Sequence, residues 1–179
     1  MRRALILLVS SMCLASCANW NSIVSAERSS QLIDSSYSAV DHLIAKQSGG
    51  TYVAPGRKVL VATIVDLNRL DRSSPFGRLV AEQLTSRLAQ LGIGVSELKL
   101  RGNLYVSERQ GELLLSREIK EIVATQNADA VLVGTYSDAG TAVYITLKLV
   151  RASDAAIISA YNYAIGKVGT IPILLKDDR

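Results

Sequence analysis

The sequence is poor in residues that carry enzyme chemistry. It has one histidine, His42, and two cysteines, Cys13 and Cys17. Asp41 adjoins His42, but consecutive residues on a helix do not face each other, so the two form no dyad. No elbow motif marks a serine that His42 could serve. His42 therefore reads as a solvated helix residue and not as a catalytic base. No Cys/His/carboxylate cluster has metal-ligand spacing, and the chain contains neither a P-loop nor a GxGxxG turn. The expectation is a protein without catalytic residues, metal or cofactor. Basic residues never run longer than two and are not interleaved with aromatics, which argues against a nucleic-acid partner.

What is present begins at the N-terminus. Arg2 and Arg3 precede an apolar run from Ala4 to Ala15, broken only by two serines. As a helix this run would be about 18 Å long, too short for a hydrocarbon core of about 30 Å. A basic start, a short apolar stretch and small residues form the layout of a secretory signal peptide. Its end, Leu14-Ala15-Ser16-Cys17, resembles the lipobox of bacterial lipoproteins. The small residues let an extended backbone enter a peptidase, and the cysteine thiol accepts a diacylglycerol thioether. The resemblance implies cleavage before Cys17 and acylation of its new amino group. A buried structural thiol is the competing reading of Cys17; the agreement of motif, position and flanks favours the lipid. Several acyl chains anchor firmly where one binds only marginally. The residue after Cys17 is Ala18, not aspartate. That choice favours an outer-membrane, lipid-anchored, periplasm-facing location, with surface exposure left open.

Removing residues 1–16 leaves 163 residues (179 − 16), enough for one domain with its own core. The signal takes away two arginines, so the formal charge falls from +4 to +2. It also takes away Cys13. The mature chain then has no disulfide, and its core must hold it.

Four parts are expected: the signal peptide at 1–16, a tether and N-terminal helix at 17–50, an α/β domain at 51–165 and a tail at 166–179. Ile33, Tyr37, Val40 and Ile44 form one stripe of a helix over 28–47, widened by Leu32, Ala39 and Leu43 and ended by Ser48-Gly49-Gly50. That stripe covers its own sheet or docks on a neighbouring subunit; amphipathic helices beside a domain usually do the former. Residues 58–65 are continuously apolar and β-branched, the pattern of a strand buried on both faces. Ser74-Pro75 opens a second helix with face Phe76, Val80, Leu84, Leu88 and Leu91, and Gly92 closes it. A strand follows at 95–100. Residues 101–115 give no clear assignment. Ser116 opens a third helix with Ile119, Ile122 and Val123 on its face. Three strands end the domain, at 130–136, 143–149 and 156–165, with a hairpin signal at Asp138-Ala139-Gly140. The tail reads as a loosely packed extension. The fold class is α/β, or mixed α+β: a single mixed sheet with packed helices in the order α-β-α-β-α-β-β-β.

One loop is a candidate ligand or partner site. It follows the carboxyl end of the first strand, leads to a helix N-terminus, and carries Arg69, Arg72 and, just inside the helix, Arg78. The absence of a glycine-rich turn favours a plain loop and cap over an anion site.

Three stretches resemble the FlgO-type outer-membrane lipoproteins, a family linked to flagellar motility. They are the lipobox, VLVATIVDLNRLDRSSPFGRLVAEQLTSRLAQLG and REIKEIVATQNADAVLVGTYSDAGTAVYITLKLVRASDAAIISAYNY. The resemblance spans roughly residues 14–165, and Ser73-Ser74-Pro75-Phe76-Gly77 is its most specific part. It implies a flagellar accessory that contacts envelope or basal-body proteins, with a homo-oligomer allowed. The third stretch is also similar to periplasmic domains of CsgG-like secretion lipoproteins and to TolB-like N-terminal domains. An export subunit or an anion-binding envelope module are the alternatives. A pore-former would need barrel hairpins of about ten residues per strand, and the charged stretch at 101–115 supplies none.

Overall fold

The structure is a computed structural model that describes residues 30–50, 52–98, 105–106, 114–115 and 117–176. The lipobox and Cys17 lie outside the described residues. Helix α1 occupies residues 30–45. It is followed by β1 (Lys58–Ala62), β2 (Val65–Asp66), α2 (Pro75–Gln90) and β3 (Gly94–Leu98). Next come β4 (Tyr105–Val106), β5 (Leu114–Leu115) and α3 (Arg117–Thr125). The chain closes with β6 (Ala130–Asp138), β7 (Ala142–Arg151), β8 (Ile157–Gly166) and α4 (Ile171–Leu174).

The main sheet has the order β3-β1-β6-β7-β8, with β2 added beside β6. The contacts of β1 with β3 and with β6 are parallel, whereas β6-β7 and β7-β8 are antiparallel. This is the single mixed sheet expected from strands first separated by helices and then joined by hairpins. Strands β4 and β5 form a separate antiparallel pair within the stretch that gave no assignment.

The sheet is buried on both faces at β1 and β6. Val59, Val61, Ala130, Leu132, Ile145 and Leu147 join α1 and α2 in one core. Leu60, Ala62, Val131 and Val133 join Val123 of α3 on the other side. From β1 the chain steps through α2 to β3 at the edge, then returns past β1 to β6. That reversal of direction puts the two connecting helices on opposite faces, as crossovers of one hand require. Fully buried side chains such as Leu132 and Leu147 stabilise by about 1.5–3 kcal/mol each.

The C-termini of α2 and α3 use the same device. Gly92 has φ 74°, its N–H donates to the Ala89 carbonyl (3.0 Å), and the Ile93 N–H donates to the Leu88 carbonyl (3.1 Å). Asn127, at φ 50°, plays the glycine's part after α3. There the N–H groups of Asn127 and Ala128 donate to Ala124 and Val123. These are Schellman closures, with Ile93 packing near Leu88 and Ala128 near Val123.

The structure corrects four expectations. The strand expected over 58–65 is broken after Ala62. Four steps from Val61 to Val65 match three from Leu132 to Thr135, so the β1–β2 side carries one extra residue, as at a bulge. Helix α1 packs on its own domain, but its buried row is Leu32, Ser36, Ala39, Val40 and Leu43, while Ile33 is exposed. Leu32, Ala39, Val40 and Leu43 agree with the widened stripe; Ser36, a polar residue at the centre of the row, does not. Ser74 holds the N-cap position of α2, yet its hydroxyl makes no cap bond. Finally, the tail is packed. Ile171 is buried, Leu174 and Leu175 lie against the core, and Lys167 pairs with Asp138 of the hairpin.

Candidate functional site

The loop between β2 and α2 folds on itself. Asp66 is its hub: its carboxylate accepts from the Asn68 N–H (2.8 Å) and from Arg69 Nη2 (3.4 Å). The Arg69 N–H donates to the Asp66 carbonyl (3.1 Å), and the Arg72 N–H to the Arg69 carbonyl (2.9 Å). The Asp66 N–H returns to the Arg72 carbonyl (3.0 Å), which closes the loop. Aspartate favours such a turn because its side chain can accept from an N–H two residues on.

The start of α2 is filled from within the chain. The Ser73 hydroxyl donates to the Ile64 carbonyl (2.7 Å), and the Ser74 N–H donates to the Tyr136 hydroxyl oxygen (3.1 Å). Phe76 meets Tyr136 edge to face, with ring centroids 5.4 Å apart. Gly77 shows how tight the fit is. A Cβ there would lie 2.0 Å from the Ile64 carbonyl oxygen and 2.5 Å from Ser73 Oγ. The stretch Ser73 to Gly77 is thus a docking joint, where a helix start presses onto a strand end and only glycine fits.

The candidate arginines are near one another in sequence but hold different places. Arg69 pairs with Asp66, and Arg78 Nη1 donates to the Ser73 carbonyl (3.3 Å). Arg72 is exposed, and its main chain closes the loop. Backbone and side chains of the loop and joint occupy the ground before α2 where an anion would be held by helix N–H groups.

A second polar constellation joins α1, α2 and β8. The Ser36 hydroxyl, fully buried, donates to Gln83 Oε1 (2.8 Å) and lies 3.3 Å from the Tyr163 hydroxyl. Burial pushes the Tyr163 hydroxyl up to about 12. Arg87 grips Asp41 with two bonds of 2.8 Å and lies over the Tyr37 ring. The hydrogen bond that Arg87 donates to Asp41 raises its guanidinium above the ordinary value. His42 turns away from Asp41 and stacks on Tyr161, with centroids 4.6 Å apart. No local pattern reveals the Asp41–Arg87 pair, because 46 positions separate its members.

A third constellation pins the linker after α1. Gln47 Oε1 accepts from the N–H groups of Tyr52 and Val53, and Nε2 donates to the carbonyls of Ile44 and Val53. Arg151 lies over the Tyr52 ring at 4.0 Å and pairs with Asp154. Among the described residues, no three His, Cys, Asp or Glu side chains gather as a metal site. No described helix is long and apolar enough to cross a membrane.

Comparison with known proteins agrees with this architecture. The C-terminal domain of LpoB from Salmonella enterica superposes with a TM-score of 0.51 at 17% identity, covering 72% of this chain and 93% of that one. The corresponding domain of LpoB from Escherichia coli gives 0.49 at 20% identity, covering 73% and 97%. A PelC dodecamer from Paraburkholderia phytofirmans gives 0.48 at 18%, covering 72% and 86%. At these identities the likeness concerns the fold alone. No curated protein matches. The family model described as FlgO protein matches residues 37–168, from within α1 through β8, and includes the joint at Ser73–Gly77. The chain belongs to the FlgO family.

Proposed function

We propose that this protein is a non-enzymatic lipoprotein of the outer membrane. Acylated at Cys17 and facing the periplasm, it supports assembly or stability of the flagellum through contacts with envelope or basal-body proteins. The family match over residues 37–168 carries this reading. The lipobox-like Leu14-Ala15-Ser16-Cys17 supports the anchor. The polar constellations support a binding rather than a catalytic role. Each is taken up in holding the fold: Asp66 closes a loop, Ser36 and Arg87 fasten α1 to α2, and Gln47 pins a linker. His42, the one histidine, is stacked on a tyrosine.

Deleting the gene tests the flagellar role. The deletion strain is expected to swim less far in soft agar and to carry fewer flagella by electron microscopy. Undiminished swimming with a normal complement of flagella refutes it.

A further inference from the structure

The geometry points to one end of the domain as a membrane-contacting rim, seated on the bilayer that anchors the chain; this rests on the anchoring reading of Cys17. The fold places the tether at that end. Helix α1 runs antiparallel to β8: Ser36 lies beside Tyr163, His42 on Tyr161, and the Ser48 N–H donates to the Ile158 carbonyl. Ser30 therefore lies toward the Gly166 end of β8, about 9 Å further along the helix than Ser36. The carboxyl ends of β1, β2 and β6 share that end, as do the hairpin after β6, the loop 66–74 and the start of α2.

Exposed apolar side chains gather there. Ile33 stands in the first turns of α1, Leu67 in the loop and Leu79 in the second turn of α2. Val168 and Ile173 follow β8, and Ile173 is 67% exposed. Among the large apolar side chains exposed in the described residues, only Ile157 belongs to the far end. Arg69, Arg72, Arg78 and Lys167 match Asp34, Asp66, Asp71 and Asp138 in number, so the rim is not repelled by headgroups of either sign. Exposed apolar side chains concentrated at one end mark an interaction surface, and the tether selects its occupant. Residues 18–29, twelve in all (29 − 17), separate Cys17 from Ser30. Fully extended, the 13 steps from Cys17 to Ser30 (30 − 17) reach at most about 45 Å. The end that carries Ser30 is thus held near the acyl chains, where Leu67 and Ile173 can enter the interface. The opposite end, with Ile157 and the Arg151–Asp154 turn, is left for other proteins.

The test uses the chain from Cys17 onward, coupled through that thiol to a maleimide lipid. The vesicles contain phosphatidylethanolamine, phosphatidylglycerol and brominated acyl chains. Trp20→Phe removes the native tryptophan, and Leu67→Trp, Ile173→Trp or Ile157→Trp supplies one probe at an exposed position. Bromine is expected to quench the probes at 67 and 173 and to leave the probe at 157 unquenched. Amide exchange on the unsubstituted chain is a second readout: vesicle attachment should slow 66–72 and 167–175 relative to 151–157. Equal quenching at all three positions, or none at 67 and 173, overturns the rim. Absence of quenching with cross-linking of 67 or 173 to an envelope protein in cells makes the rim a protein-docking surface and overturns it equally. Because coupling replaces acylation, failure here is distinct from failure of Cys17 to acquire lipid in cells.

Discussion

Replacing Gly77 by alanine should destabilise the protein, although alanine is the better helix former by about 1 kcal/mol. The reason is the Ile64 carbonyl oxygen, 2.0 Å from the position of the new Cβ. Real Cβ atoms essentially never approach a neighbour closer than 3.0 Å, so the two groups must separate by about 1 Å (3.0 − 2.0). Ile64 is fully buried, and its carbonyl accepts the Ser73 hydroxyl at 2.7 Å, so the shift strains the core and strips a hydrogen bond. Overpacking costs about 1–3 kcal/mol and the bond about 1 kcal/mol. Less the gain in helix propensity, the net loss is about 2 kcal/mol. For a domain of this size that lowers the urea midpoint by about 1 M. The assay is equilibrium unfolding of the unacylated chain beginning at residue 18, followed by circular dichroism. An unchanged or higher midpoint refutes the claim that Ser73–Gly77 is a joint sealed by backbone contact.

Three further outcomes follow from other residues. Burial raises Tyr163 to about 12, against about 10 for a free tyrosine, so folding favours its protonated form. That contribution, about 3 kcal/mol, is complete below about pH 10 and is lost as pH rises through about 12. Urea unfolding should therefore show a steeper alkaline loss in the wild type than in Tyr163→Phe, and identical pH profiles would contradict it. Gln47→Ala leaves the N–H groups of Tyr52 and Val53 without their acceptor and should cost about 2 kcal/mol, with faster amide exchange at those two residues; wild-type stability and exchange would refute the clamp. Cys17→Ala should abolish labelling by radioactive palmitate and leave a precursor of higher mass, whereas persistent labelling excludes Cys17 as the acylated residue.

Much of the fold was legible because local patterns and global packing agree. The run Val59–Ala62 is buried on alternating faces because helices cover both sides of a parallel sheet, and a continuous apolar sequence is the imprint of that burial. Gly92 announced its helix end because a Schellman closure needs a left-handed residue there. What stayed hidden depends on partners distant in the chain. Ser36 is buried because Gln83, 47 residues away, accepts its proton, so the inward row of α1 contains a polar residue that periodicity assigns to the surface. Helix α4 is too short for a period, and Pro172 inside it looks like a breaker. Its place is set by Ile171 meeting the core and by Lys167 on Asp138. The loop arginines stand before and just inside a helix start, which the sequence makes visible. Their sequence could not show that Asp66 and Ser73 use the surrounding hydrogen bonds to close the loop and seal the joint.

We propose that this FlgO-family domain serves the flagellum from a lipid tether. Swimming in soft agar by the deletion strain, complemented with either wild type or Cys17→Ala, tests it most directly. At matched protein levels the wild type should restore the swimming halo and Cys17→Ala should not. Full restoration by Cys17→Ala would contradict the account.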